Sequence, residues 1–155
     1  MNAASNCLST VEQNLAPFLQ RLCWEDIDEG YLLGLARRSK EEDLQGRGLS
    51  NASFRAGDRT TEALALTGSG GAILVTRESM VTCGLGLAGV LLEEFGGATH
   101  FEPKHKDGEW VESGTELGKI SGSKTTILAA ERSLLNFVQR LSGIATLTKR
   151  FVEAL

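Results

Sequence analysis

Prolines are scarce in this chain, two among 155 residues, so few turns are set by ring rigidity. Cysteines are scarce as well. Cys7, Cys23 and Cys83 are odd in number, far apart in sequence, and form no C-x-x-C pair. That pattern excludes a disulfide framework or a zinc ribbon as the organising device and fits a reducing compartment. No charge-free stretch outruns Ser79–Leu92, well short of the roughly 20 apolar residues that cross a bilayer. Met1–Cys7 carries neither a basic n-region nor an apolar h-region, so no secretory signal is read there and a cytoplasmic location is expected. Positive charge is in deficit, 16 Lys+Arg against 20 Asp+Glu for a net charge of −4. This gives no electrostatic footprint for nucleic acid and no polybasic patch for a membrane, and neither partner is expected.

What remains is an ordinary globular composition, 41% hydrophobic and 23% charged. The length suits one domain, or one and a piece of another, with enough chain to bury a core. Apolar residues at helical spacing (Val11, Leu15, Phe18, Leu19, Leu22) predict a helix over 8–23, and Ile27, Tyr31, Leu32, Leu35 and Ala36 predict a second over Trp24–Arg38. Lys40–Arg59 reads as a polar loop punctuated by Gly46, Gly48 and Gly57. Strands are expected at Gly71–Arg77, Ser79–Cys83 and Ala98–Glu102, with a helix over Leu85–Phe95 and short strands and turns from Val111 to Gly122. Ser123 or Lys124 opens a long helix to about Leu141; Ser142-Gly143 weakens it, and Ile144, Leu147, Phe151 and Leu155 carry a further helical face. A strongly apolar terminal helix asks for something to pack on.

Several local motifs carry less than they suggest. Gly84-Leu-Gly86-Leu-Ala-Gly89 fits G-x-G-x-x-G ahead of a helix, with Glu102 posed as a ribose acid. A lone match is weak, and the favoured reading is that small residues let the helix pack closely on the sheet. The glycine–lysine stretches at Gly114–Lys119 and Gly122–Thr125 lack phosphate-loop spacing. His100-x-Glu102 is followed by no P-C-x-x-C, so a zinc deaminase is not supported. His100 and His105 are expected to be solvated loop residues.

The most specific block is Ala130-Glu131-Arg132-Ser133-Leu134-Leu135-Asn136-Phe137-Val138-Gln139-Arg140-Leu141-Ser142-Gly143-Ile144-Ala145-Thr146. It resembles the E-R-x-x-L-N-x-x-x-x-L-S-G-I-A-T signature of the quinolinate phosphoribosyltransferases. Glu42-Asp43-Leu44 and Gly57-Asp58-Arg59-Thr60-Thr61 are similar to that family's E-D-L and G-D-x-T-T, although residues 45–56 intervene here. Thr76–Gly84 and Val111–Gly122 resemble its paired-strand segment and the stretch before the signature helix, with Met80 where the family usually has glycine.

The resemblance implies an α+β fold. Helices lie on a small, mainly antiparallel sheet over residues 1–122, and residues 123–155 supply linking helices and the first helices of an incomplete α/β barrel. A complete barrel typically needs some 200 residues or more, so a truncated chain, inactive alone, is the expectation. The implied reaction joins quinolinate to phosphoribosyl pyrophosphate and yields nicotinate mononucleotide, CO2 and pyrophosphate. The implied Mg2+ has its ligands outside this chain, and no catalytic residue is assigned within it. The implied assembly is a homodimer with a shared site, in which Arg132 clamps a substrate carboxylate of the neighbouring subunit. Guanidinium forks suit carboxylates, and an early position in a helix adds a favourable dipole. The plainer alternative pairs Arg132 with Glu131, Glu116 or another acid. Asn136 and Gln139 are expected to tie the helix to neighbouring backbone. Alternatives for the whole chain are a molybdenum-transport-associated relative of the same architecture and a non-catalytic dimerisation module.

Overall fold

The computed structural model describes residues 24–48, 50, 57–96 and 98–155; the helix expected over 8–23 lies outside them. A single 3-10 turn, Trp24–Asp26, precedes α1, Glu29–Gln45. The helix expected from Trp24 to Arg38 thus begins later and ends later. Asp28 caps it, its carboxylate accepting from the Tyr31 N–H at 2.8 Å, and Gly46 stops it in the left-handed conformation with φ 66°. Glu42-Asp43-Leu44 therefore lies on the last turns of α1 rather than in a loop. Its inner face is Leu32, Leu35, Ala36 and Leu44, whereas Tyr31 turns to solvent. A short helix that periodicity does not reveal, α2 at Arg59–Leu64, follows. Asp58 caps it by accepting from the Thr61 N–H at 3.1 Å and from the Thr61 hydroxyl.

The strands are β1 (Ser69–Val75), β2 (Met80–Val81), β3 (Thr99–Pro103), β4 (Trp110–Val111) and β5 (Glu116–Ser123). They form two sheets where one was expected. β5 runs antiparallel between β1 and β3, while β2 and β4 pair separately. In the larger sheet Ala72, Ile120 and Phe101 fall in one row across three strands, and alternation sends that row inward. His100 sits on β3, not in a loop, and is exposed.

Against the inner face lie α3, Leu85–Gly96, and α4, Lys124–Glu153. From α3, Leu87, Ala88, Leu91 and Leu92 are each at most 1% exposed and form the centre of the core. Each leucine so buried contributes about 1.5–3 kcal/mol. The two final helices read from the sequence are one helix of 30 residues, capped by Ser123 and unbroken at Ser142-Gly143. Thr126, Ala130, Ser133, Leu134, Val138, Ser142 and Thr146 trace its buried stripe. Ala130, Leu134 and Val138 join the same core cluster as Leu91 and Ile120. Beyond Thr146 the helix runs past the core, leaving Leu147, Phe151 and Val152 more than half exposed. No helix among the described residues is long and apolar enough to cross a membrane.

Candidate functional site

The C-terminal half of α1 crosses the middle of α4. Ser39 donates to the Ser133 hydroxyl at 2.8 Å, and Ser133 is buried at this seam. Arg132, one residue back on α4, projects outward with its side chain 77% exposed. Its Nη1 meets the Asp43 carboxylate at 3.4 Å. The partner is thus an acid, as the plainer reading expects, but neither Glu131 nor Glu116; Glu116 pairs instead with Lys104 at 2.9 Å. The same open cleft is lined by Asn136, Gln139, Arg140, Glu42 and Arg47. Arg47 turns back to Glu41. Positions 132, 136 and 140 recur at i, i+4 and i+8, so they share one face of α4.

Among the described residues, Asn136 and Gln139 do not show the tethering role expected of them. Both are exposed on the cleft wall and bond no described backbone group. The tethers come from hydroxyls further along the signature. The Ser142 hydroxyl accepts from the Cys83 N–H at 3.0 Å and donates to the Cys83 carbonyl at 3.1 Å. Thr146 accepts from the Val81 N–H at 2.9 Å and gives its own proton to the Ser142 carbonyl at 2.7 Å. Together they hold the end of β2 against α4, which explains a serine and a threonine four residues apart in the signature.

The glycine motif before α3 is also structural. Asp107, from the loop before β4, accepts the N–H groups of Gly84 at 2.9 Å and Leu85 at 3.0 Å, and also the Trp24 indole N–H. A carboxylate of the protein thus occupies the helix N-terminus where a pyrophosphate would sit. A side chain at Gly86 would strike the Trp24 ring, 2.6 Å from its nearest atom. Gly86 makes room for Trp24, whereas Gly84 lies against Leu141 and Gly89 faces open space. Cys83, half-buried beside them, has its thiol pKa raised by burial first and by the Asp107 charge second.

Elsewhere, His105 meets Glu109 at 2.9 Å and is not simply solvated; that hydrogen bond holds the Glu109 carboxyl below its ordinary value. Among the described residues no three His, Cys, Asp or Glu side chains converge as a metal site.

Comparison with known proteins agrees with the signature. The family described as quinolinate phosphoribosyl transferase, N-terminal domain, matches residues 58–142. The chain is 42% identical over 83 residues to the chloroplastic carboxylating nicotinate-nucleotide pyrophosphorylase of Arabidopsis thaliana, covering 54% of this chain and 24% of that one. A mitochondrial decarboxylating quinolinate phosphoribosyltransferase of Nicotiana glauca is 36% identical over 107 residues, covering 68% and 30%. The solved nicotinate-nucleotide pyrophosphorylase of Francisella tularensis superposes with a TM-score of 0.70 at 30% identity, covering 82% of this chain and 41% of that one. In each case the chain spans well under half of the relative's length. The match includes the block from Asp58 through the signature helix to Ser142, and on that ground the chain belongs to the quinolinate phosphoribosyltransferase N-terminal-domain family.

Proposed function

We propose that this chain serves a quinolinate phosphoribosyltransferase, the enzyme that joins quinolinate to phosphoribosyl pyrophosphate and releases CO2 and pyrophosphate. Its part is to present Arg132 to a quinolinate carboxylate across the interface of a homodimer. A barrel of the family's kind, on the same or a separate chain, completes the site. The observation that carries this reading is the state of Arg132: an exposed guanidinium on a packed helix, met among the described residues by the Asp43 carboxylate at 3.4 Å from Nη1. A planar fork with a free edge is what a substrate carboxylate needs. The anionic substrates require fixed cations, and Arg140 lies on the same cleft. The relatives named above are quinolinate enzymes rather than molybdenum-transport-associated proteins, which supports quinolinate over the alternative substrate class.

The chemistry assigned to these residues is binding and orientation. A ring nitrogen must meet an anomeric carbon among several negative charges. Holding one carboxylate in a guanidinium fork on a rigid helix lowers the entropy lost in reaching that geometry. Mixing this chain with a separately produced barrel portion of a relative, and assaying CO2 and pyrophosphate release, tests the reading. Turnover in the mixture, absent from either part alone, is expected. No turnover from two demonstrably folded parts counts against it.

A second reading has its own observation. Ile144, Leu147 and Phe151, at 59%, 54% and 66% exposure, form an apolar stripe on α4, as an interaction module would show. Gel filtration over a range of concentrations separates the two: a stable, soluble monomer at all concentrations argues against an interface role.

A further inference from the structure

Arg132 serves a ligand only as far as its guanidinium is held, and the hold comes from α1. Ser39 and Asp43 stand one turn apart on that helix and reach Ser133 and Arg132, adjacent on α4. Between them Lys40 donates to the Glu94 carbonyl at 2.6 Å and lies 5.9 Å from the centre of the Phe95 ring. Arg37 pairs with Glu94 at 3.5 Å. The second half of α1 is therefore pinned to α3 and α4 at once, and Asp43 rises from a fixed platform. Its side chain is 20% exposed against 77% for Arg132, so the acid is the better-packed member of the pair.

We propose that Asp43 is a positioning residue for Arg132, and that this explains the acid of the Glu42-Asp43-Leu44 block. The inference rests on the reading that Arg132 holds a substrate carboxylate. Two roles compete for such an acid. It can steer the guanidinium, or it can sit in the fork as a rival to the substrate. A rival carboxylate makes a close, two-pronged pair. Here the contact is single and long, to Nη1 at 3.4 Å, and Nη2 and Nε have no other partner among the described residues. That geometry restricts the side chain while leaving the fork open.

The test has two arms. In the first, the 155-residue chain is labelled at arginine nitrogen, and the order of the Arg132 Nε–H is measured by NMR relaxation. Asp43→Asn should lower that order while the backbone order of α4 is unchanged, and Asp43→Glu should restore much of it. Unchanged Arg132 order in Asp43→Asn overturns the proposal, whatever the enzyme does. In the second arm the variants are assayed in the mixture with the barrel portion. Asp43→Asn should raise the KM for quinolinate on the order of tenfold, as misplacement of a binding group does, with kcat changed less. A fall in KM would identify Asp43 as a rival and overturn the proposal. Loss of Arg132 order together with an Arg132→Ala mixture of unchanged KM would instead refute the functional reading of Arg132, so the two failures are distinguishable.

Discussion

Ser142 and Cys83 exchange two hydrogen bonds: the serine hydroxyl accepts from the cysteine N–H at 3.0 Å and donates to its carbonyl at 3.1 Å. The pair is 59 residues apart in sequence, and Ser142 is fully buried. A side-chain hydroxyl thus supplies to the end of β2 what a neighbouring strand would otherwise supply. Replacing it strands both backbone groups. Ser142→Ala should destabilise the fold by about 2–3 kcal/mol, as expected where buried polar groups lose their partner. Thr146→Val keeps the volume but orphans the Val81 N–H, and should cost about 1–3 kcal/mol. Urea unfolding followed by far-UV circular dichroism measures both. A change under 0.5 kcal/mol, on the order expected of a surface substitution, would remove the clasp from the account of the signature.

Cys83 carries a prediction about pH. Its thiol is held above its ordinary value by burial and then by the nearby Asp107 charge. The folded state therefore binds the thiol proton more tightly than the unfolded chain does. The resulting stability is present below the unfolded thiol's pKa of about 8.5 and is lost as pH rises through the folded value. Alkylation of Cys83, followed by mass spectrometry as a function of pH, should show a midpoint displaced upward from that of the urea-unfolded chain. Asp107→Asn should move the midpoint part of the way back. Burial, the larger cause, should keep it above the free thiol.

The glycines of the α3 motif separate packing from ligand binding. Gly86→Ala must displace the Trp24 ring and its indole bond to Asp107, at about 1–3 kcal/mol, the usual cost of overpacking. Gly89 faces open space in a helix interior, so Gly89→Ala should stabilise by about 0.5–1 kcal/mol. Opposite signs in urea unfolding are the expected result. Equal losses at both positions would say that something other than Trp24 governs the motif.

The legible parts of the fold were those with a local cause. The apolar run in β1, the α3 helix and the Ser123 start of α4 each follow from patterning or a cap within a few residues. The unbroken course of α4 did not follow, because glycine costs a helix only about 1 kcal/mol, and Ser142 beside it is fixed by Cys83, far away in sequence. Trp24 reads as a helix residue until Asp107, 83 positions on, claims its indole. α2 has six residues, too few to show a period. Arg132 was marked by its place in the signature, but its partner Asp43 lies 89 residues away on another helix, and no spacing rule joins them.

Arg132 itself supplies the prediction that divides function from folding. Its side chain is largely exposed and its ion pair with Asp43 is long. Such pairs contribute about 0–1 kcal/mol, because water and salt screen the charges. Arg132→Ala should therefore leave urea unfolding within about 0.5 kcal/mol of the parent. In the mixture with a barrel portion, the same substitution removes a charged hydrogen-bond donor from a substrate carboxylate. The apparent quinolinate affinity should fall by about 1.5–3 kcal/mol, roughly 10- to 150-fold. Arg132→Lys should recover only part of it, since an ammonium cannot offer two parallel N–H groups to one carboxylate. Full recovery with lysine would mean that bare positive charge suffices in the cleft. An affinity untouched by alanine would move the substrate contact away from this helix.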